Sequence, residues 1–508
     1  MRLSLKMCQR ARPLLDSIEF YSSSDTYFFQ VADGIHLDNR YKKLVSNAAV
    51  FFIGNLGSKV ITFLIVPFYT YFLTTEEYGT ADLVTTTVNL LVPFAMVGMN
   101  EAVLRFTVSK EADVESIASN SLLVVLVGWV ICWLLFPIFR MFSVIGYNVV
   151  YFLLLLCLSS FNYVFMQLLR GIGKSKAFAA NGVVITFVTA FSNVLALAVW
   201  HLGVGGYLAS MVVAQFIGAL HIIVSCKLWK FLSFSSLNRH ALNDMLTYCI
   251  PLIPNSLMWW IMSASDRYVI LFFIGASANG IYNVAQKIPQ IVNIVYNIFM
   301  QAWQISAIEE RGSADNAKFQ STVFRYIFVI LAVASSLIAA SAYPVYTFLM
   351  SSSYEGSWQP VAMLSLANLF SCVAAFFGTT YVVTKESKKA FSTTAIGAIV
   401  NIALTLLLVP AFGIMGAAGA TAISYAVIAA VRARDTRKFI KLDFHRGEIA
   451  ASFVLIGAQV ALSFAPFSQG VLIVEFLLFF ALLFVLRNGL LDIARKGMKV
   501  VGNRRQSA

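Results

Sequence analysis

Asn283, Gln286, Lys287, Gln290, Asn293, Asn297, Gln301 and Gln304 recur through one apolar run of the chain. Laid on a helix at about 100° per residue, they share an arc of about 120° that only Ile294 interrupts near its middle. The opposite face carries Val284, Ile288, Val292, Val295 and Phe299. Amides donate and accept hydrogen bonds at once, and the lysine adds a cation. At membrane depth such a stripe must turn to a partner helix or to a wet cavity. A second run, "WWIMSASDRYVILFFIGA" (259–276), buries Asp266 and Arg267. Each charge in hydrocarbon costs roughly 2.5–3.5 kcal/mol even on the mildest insertion scale. Neighbours in sequence do not face each other on a helix, so this pair need not pair together. Lys59, Arg267 and Lys287 are the basic residues expected at membrane depth, opposed by Asp82 and Asp266. Cations attract phosphate or carboxylate, and amides exchange hydrogen bonds with sugar hydroxyls. The alternative is that Arg267 and Lys59 neutralise the two aspartates.

An equivalent stripe lies earlier in the chain, where Asp82, Thr85, Thr86, Asn89 and Asn100 match Asn283, Gln286, Lys287, Gln290 and Gln301. Asn55 and Lys59 share a face with Ser58, Thr62 and Tyr69, and Asn255 with Trp259 and Asp266. The candidate cavity residues are therefore Lys59, Arg267, Lys287, Asn55, Asn89, Asn283, Gln290, Asn293 and Asn297. Asp82 and Asp266 would balance charge or titrate in ion coupling. Glu101 and Arg105 form a candidate cytoplasmic gate, and Glu475 has no visible partner. For any single asparagine, hydrogen bonding between helices is the plainer reading. Eight polar positions on one helix exceed what such bonding requires.

The elements that position these residues follow from composition. The chain has 508 residues, 59% hydrophobic and 12% charged, with a mean hydropathy of +0.78. A soluble domain carries about twice that charged fraction. Apolar windows long enough to cross hydrocarbon fall near 45–71, 82–104, 120–139, 149–169, 178–200, 204–225, 246–274, 280–304, 324–349, 358–382, 390–410, 414–431, 449–465 and 470–486. An all-α polytopic membrane protein of fourteen transmembrane helices is expected. Loops such as "RGIGKSK", "KESKK" and "RARDTRKFIKLDFHR" alternate with "HLGVGG", "GASANG" and "SSSYEGS", and only Arg140 breaks the alternation. The basic side is cytoplasmic by the positive-inside rule, with both termini on it. The net charge of +13 is thus a topology signal, which removes nucleic acid as a partner.

Other chemistry is not indicated. The six cysteines show no CxxC pair, the histidines have no metal-ligand spacing, and no nucleophile motif occurs. "RGIGKSKA" lacks the first glycine of a phosphate loop, since Leu168 stands there. No enzyme activity, cofactor or metal is expected.

The chain also repeats itself. "LTTEEYGTADLVTTTVNLL" aligns with "FIGASANGIYNVAQKIPQIV", placing Gly79 over Gly280, and "LGVGGYLASMVVAQ" aligns with "FGIMGAAGATAISY". Two pseudo-symmetric six-helix bundles, spans 1–6 and 7–12, would enclose a central cavity, with two C-terminal helices outside them. The expected divisions are a cytoplasmic tail 1–43, bundles 44–226 and 246–431 joined by a cytoplasmic linker 227–245, a basic loop 432–448, spans 13–14 at 449–487, and a basic tail 488–508. Residues 1–40 depart from the rest and are in doubt as part of the native protein. Proline in each lining helix (Pro67, Pro93, Pro251, Pro254, Pro289) suits helices that bend.

The duplicated halves, "EYGTADL", "SDRYVILFFIGASANGIYNVAQK" and "FGIMGAAGATAIS" resemble the polysaccharide transporter family over roughly residues 41–500. This is the Wzx-type oligosaccharide (O-antigen or exopolysaccharide) flippase branch of the multidrug/oligosaccharidyl-lipid/polysaccharide exporter superfamily. The resemblance implies moving an undecaprenyl-diphosphate-linked oligosaccharide from the cytoplasmic to the outer leaflet of a bacterial plasma (inner) membrane. It implies a monomer among membrane lipids, with other polysaccharide-assembly membrane proteins as candidate partners. The family's cationic cavity would map onto Lys59, Arg267 and Lys287. A drug or cation antiporter of the same superfamily is the alternative, although three basic residues disfavour a cationic drug. A membrane polysaccharide polymerase or ligase would need a large extracytoplasmic loop, and the loops here are short.

Overall fold

The computed structural model describes residue 61 and residues 64–108, 113–142, 145–309, 315–384, 386–440 and 442–502. Every regular element among them is helical. Lys59, Asn55 and the expected tail 1–43 lie outside the described residues.

After a helical stretch at 64–72, α1 (Thr75–Ala95) starts at a capping box. Thr74 Oγ1 accepts from the Glu77 amide, and Glu77 Oε2 accepts from the Thr74 amide. Pro93 removes a backbone donor near its end, and Val97 and Gly98 take left-handed conformations (φ 52° and 67°). The chain then bends by 54° into α2 (Met99–Thr107). The N-terminal half continues through α3 (Val114–Leu134), the short α4 (Phe136–Met141), α5 (Val149–Gly171), α6 (Ser175–Val194) and α7 (Gly203–Cys226). The expected linker holds the start of a helix, α8 (Arg239–Cys249), capped by Asn238.

The C-terminal half comprises α9 (Ile253–Phe273), α10 (Ala276–Lys287), α11 (Gln290–Glu309), α12 (Asn316–Ala340), α13 (Ala342–Leu349), α14 (Val361–Thr384) and α15 (Ser387–Asp435). A straight α15 of 49 residues would be about 74 Å long. It folds back instead. Gly413 is non-helical (φ 59°), a Cβ on Gly416 would collide with Leu408, and Asn401 reaches Thr421 at 3.4 Å. Two antiparallel arms result, matching the expected spans 11 and 12. The second arm runs through Arg432, so the residue expected to open a solvated loop is helical and only 5% exposed.

The last helices are α16 (Arg446–Leu462), α17 (Gln469–Val485) and α18 (Arg487–Gly502). Ile456, Leu482 and Leu486 join the core of the C-terminal half. Gln459 bonds Ser336 Oγ at 2.8 Å and the Glu475 carbonyl at 3.3 Å. Glu475 is buried with one carboxylate oxygen unpartnered.

Seven helices among the described residues are long and apolar enough to cross a bilayer, or ten if each of three bent pairs is one span. Of the fourteen expected, the first window lies mostly outside the described residues, and spans 11 and 12 count as one because they share α15. The eighth is broken at Pro289, and α16 has only 17 residues.

The repeat has a spatial counterpart. A Cβ on Gly79 would collide with the Ala276 carbonyl, and one on Gly280 would collide with the Thr75 carbonyl. In the sequence alignment Gly79 matches Gly280 and Thr75 matches Ala276, so each contact is the other's repeat equivalent. Reciprocal contacts of this kind mark a two-fold interface. Glycine at both positions lets α1 and α10 approach this closely.

Candidate functional site

The charged residues read from the sequence converge beside that interface. Arg267, on α9, donates from Nε to Asp82 Oδ2 on α1 at 2.8 Å. Its Nη2 donates to Gln286 Oε1 at 2.8 Å, and its Nη1 to the Ser263 carbonyl at 2.9 Å. Asp266 lies 3.7 Å from Nη1, accepts from the Arg267 amide, and accepts from the Tyr282 hydroxyl at 2.6 Å. Asn279 adds bonds to the Gly79 carbonyl and to Asp82. Arg267 and Asp266 are 8% and 4% exposed. The pairing left open in the sequence is thus real, but Asp266 is the looser partner and Asp82 the tighter. Lys287 is half-buried, makes no hydrogen bond or ion pair among the described residues, and lies within electrostatic reach of both Asp82 and Arg267. Two cations and two carboxylates balance, so a buried pair that is costly alone becomes tolerable.

This network is one of several ties between the halves. Thr75 Oγ1 and Ser277 Oγ are 2.6 Å apart, and the Tyr354 hydroxyl donates to the carbonyls of Leu73 and Thr74. Deeper along α1, Thr87 Oγ1 meets the Tyr268 hydroxyl at 2.6 Å, and Trp260 Nε1 donates to the Thr86 carbonyl. These ties run from the start of α1 to its middle.

The polar stripe itself is split. Pro289 cannot continue the helical hydrogen-bond ladder, so α10 ends at Lys287 and α11 begins at Gln290. Before the break, Asn283 and Gln286 are buried against the inter-half contact. After it, Asn293 and Asn297 line a separate cavity of about 370 Å³ in the C-terminal half, with Trp259, Ser263, Tyr425 and Arg432. Asn293 also donates to Asn368 Oδ1 at 2.7 Å and accepts from the Cys372 thiol. It therefore both packs helices and faces the cavity.

A sequence profile described as polysaccharide biosynthesis protein matches residues 44–304, just over half of the chain. The chain belongs to that family. An uncharacterized membrane protein of Methanocaldococcus jannaschii is 24% identical over 408 residues, 75% of this chain and 95% of the relative. A probable low-salt glycan biosynthesis flippase of Haloferax volcanii is 24% identical over 247 residues, 48% of this chain and 50% of the relative. Among solved structures, the lipid II flippase MurJ in an inward closed conformation aligns with a TM-score of 0.67 at 11% identity, covering 87% of this chain and 99% of that one. An inward-facing multidrug resistance MATE transporter aligns at 0.58 with 15% identity, covering 81% and 96%. Likeness at that identity carries the fold alone. Membership in the polysaccharide biosynthesis protein family agrees with the resemblance drawn from the sequence motifs.

In this family member the remaining candidates fall in different places. Asn89 and Gln290 are exposed, and Gln290 donates to Gln286 at 3.3 Å. Glu101 and Arg105 are both exposed on α2 and form no ion pair with each other among the described residues; Glu101 accepts from Asn100. Sequence reasoning missed Arg432. Its signal was available, because Tyr425, Ile428 and Arg432 follow helical spacing and all line the same cavity. The neighbouring charges in "RARDTRK" made the position read as loop.

Proposed function

We propose that this chain is a flippase for a polyprenyl-diphosphate-linked oligosaccharide, carrying it from the cytoplasmic to the outer leaflet by alternating access. The observation that carries the reading is the inter-half closure around Arg267 and Asp82. It joins the halves toward the end of the molecule whose loops, Arg140 apart, lack basic residues, while a cavity that Asn293, Asn297 and Arg432 help to line persists within the C-terminal half. A transporter that exposes its site to each side in turn must break and remake contacts of this kind at one end. On this reading the basic loops face the cytoplasm and the closed end faces outward. Arg267, Asp82 and Asp266 then serve as a releasable charge lock, and Asn89, Gln290, Asn293 and Asn297 meet the glycan. Family membership and the glycan-flippase relative support the substrate class.

The experiment is deletion of the gene followed by analysis of lipid-linked glycans and their sidedness. Repeat units trapped on the cytoplasmic face are expected. Unchanged glycans with altered dye or drug tolerance would instead favour a drug antiporter.

A further inference from the structure

The cavity in the C-terminal half holds a cation that the charge network between the halves does not use. Arg432 reaches into the bundle from the second arm of α15. Its Nε donates to Thr393 Oγ1 at 3.0 Å, Nη1 to the Ala374 carbonyl at 3.0 Å, and Nη2 to Thr394 Oγ1 at 3.0 Å. Gly378 leaves room for the guanidinium, since a Cβ there would stand 2.7 Å from Nη1. All these acceptors are neutral, and no carboxylate pairs with Arg432 among the described residues. A buried charge is costly unless an opposite charge compensates it. The same cavity is lined by Tyr296, which is 2% exposed and whose hydroxyl has no hydrogen-bond partner. A buried donor left without an acceptor calls for one. Trp259, 49% exposed, and Asn297 also line this cavity, giving a stacking face and an amide. The volume of about 370 Å³ falls in the usual range of small-ligand sites, about 300–1,000 Å³.

We infer that this cavity is an oxyanion subsite, in which Arg432 and the Tyr296 hydroxyl together receive a phosphate or carboxylate group borne by a sugar-like ligand. The inference rests on the flippase reading for its source of ligand, either the diphosphate of the lipid carrier or an acidic sugar of the glycan. Arg432 is held in place by its neutral acceptors and so arrives preorganised, with its charge unspent. Bonding Tyr296 to the anion would also couple α11 to α15, two of the elements that line the cavity.

The test uses the purified full-length protein in detergent, titrated with sodium pyrophosphate, sodium glucuronate or glucose against sodium chloride at matched ionic strength. Tryptophan fluorescence and thermal shift are read together. Saturable binding of pyrophosphate or glucuronate, but not glucose, is expected. Pyrophosphate alone would assign the diphosphate and glucuronate the acidic sugar. Tyr296→Phe removes an unpartnered hydroxyl without breaking a contact, and should weaken the anion about threefold to tenfold. Arg432→Gln should weaken it about tenfold or more. If that variant does not fold, Arg432→Lys, which keeps the charge and loses the fork, and Tyr296→Phe decide the matter. Binding no stronger than chloride, or variants that titrate like the parent, would overturn the subsite. Glycan sidedness in deletion cells separates the two claims. Arg432-dependent anion binding with unaltered glycans sinks the flippase reading alone, and trapped glycans without anion binding sink the subsite alone.

Discussion

Arg267 Nε lies 2.8 Å from Asp82 Oδ2 across the contact between the two halves of the chain. Each side chain is about one-tenth exposed, and each belongs to a different repeat. The bond therefore reports the relative position of the halves as well as the charge state of either residue. Removing one member of a buried pair typically costs about 3–5 kcal/mol, because the other is left uncompensated. Arg267→Gln should destabilise by about that amount, and adding Asp82→Asn should recover part of it. Unfolding in detergent across the double-mutant cycle measures the coupling, and strictly additive losses would contradict the pairing.

The Gly79–Gly280 contact makes a separate prediction. Gly79→Ala pushes a methyl into the Ala276 carbonyl and should wedge the closed end open. A cysteine at Ser277 should then label faster with an impermeant maleimide, and on the flippase reading transport should fall. Gly457→Ala, on α16 where no atom lies within 4 Å, is the control. It should be neutral or gain about 0.5–1 kcal/mol from helix propensity.

Thr75 and Ser277 bring their hydroxyls within 2.6 Å. The double variant Thr75→Cys with Ser277→Cys should oxidise to a disulfide that holds the halves together. On the flippase reading proposed above, glycan transfer should stop on oxidation and return with reductant. A crosslinked protein that still transports would rule out opening at this end as part of the cycle.

Gln459 is fully buried and ties α16 to Ser336 on α12 and to the Glu475 carbonyl on α17. Gln459→Leu should cost about 1–3 kcal/mol by stranding buried partners. The loss should appear as earlier proteolysis between α16 and α17, with the core of the N-terminal half unchanged.

How far these features were legible varies residue by residue. Asp82, Asp266, Arg267 and Lys287 stood out because charge in an apolar run is expensive, whatever the fold. Their mutual arrangement was not legible, since it depends on the approach of α1 to α10 and on the path of α9. The stripe from Asn283 to Asn297 was visible as helical spacing, yet Pro289 divides it, so Asn283 ends buried and Asn297 in a cavity. Glu101 and Arg105 have the one-turn spacing of a pair, but both point to the exterior of α2.

Sequence alone determined the membrane-embedded helical class, the repeat and the residues too polar for lipid, because hydropathy and periodicity are local properties of the chain. Tertiary structure decided which of those residues neutralise one another and which face open space. It also returned Arg432 from an apparent loop to the interior. Burial and pairing depend on neighbours far apart in sequence, and α15 brings Arg432 to Thr393 only by folding back at Gly413.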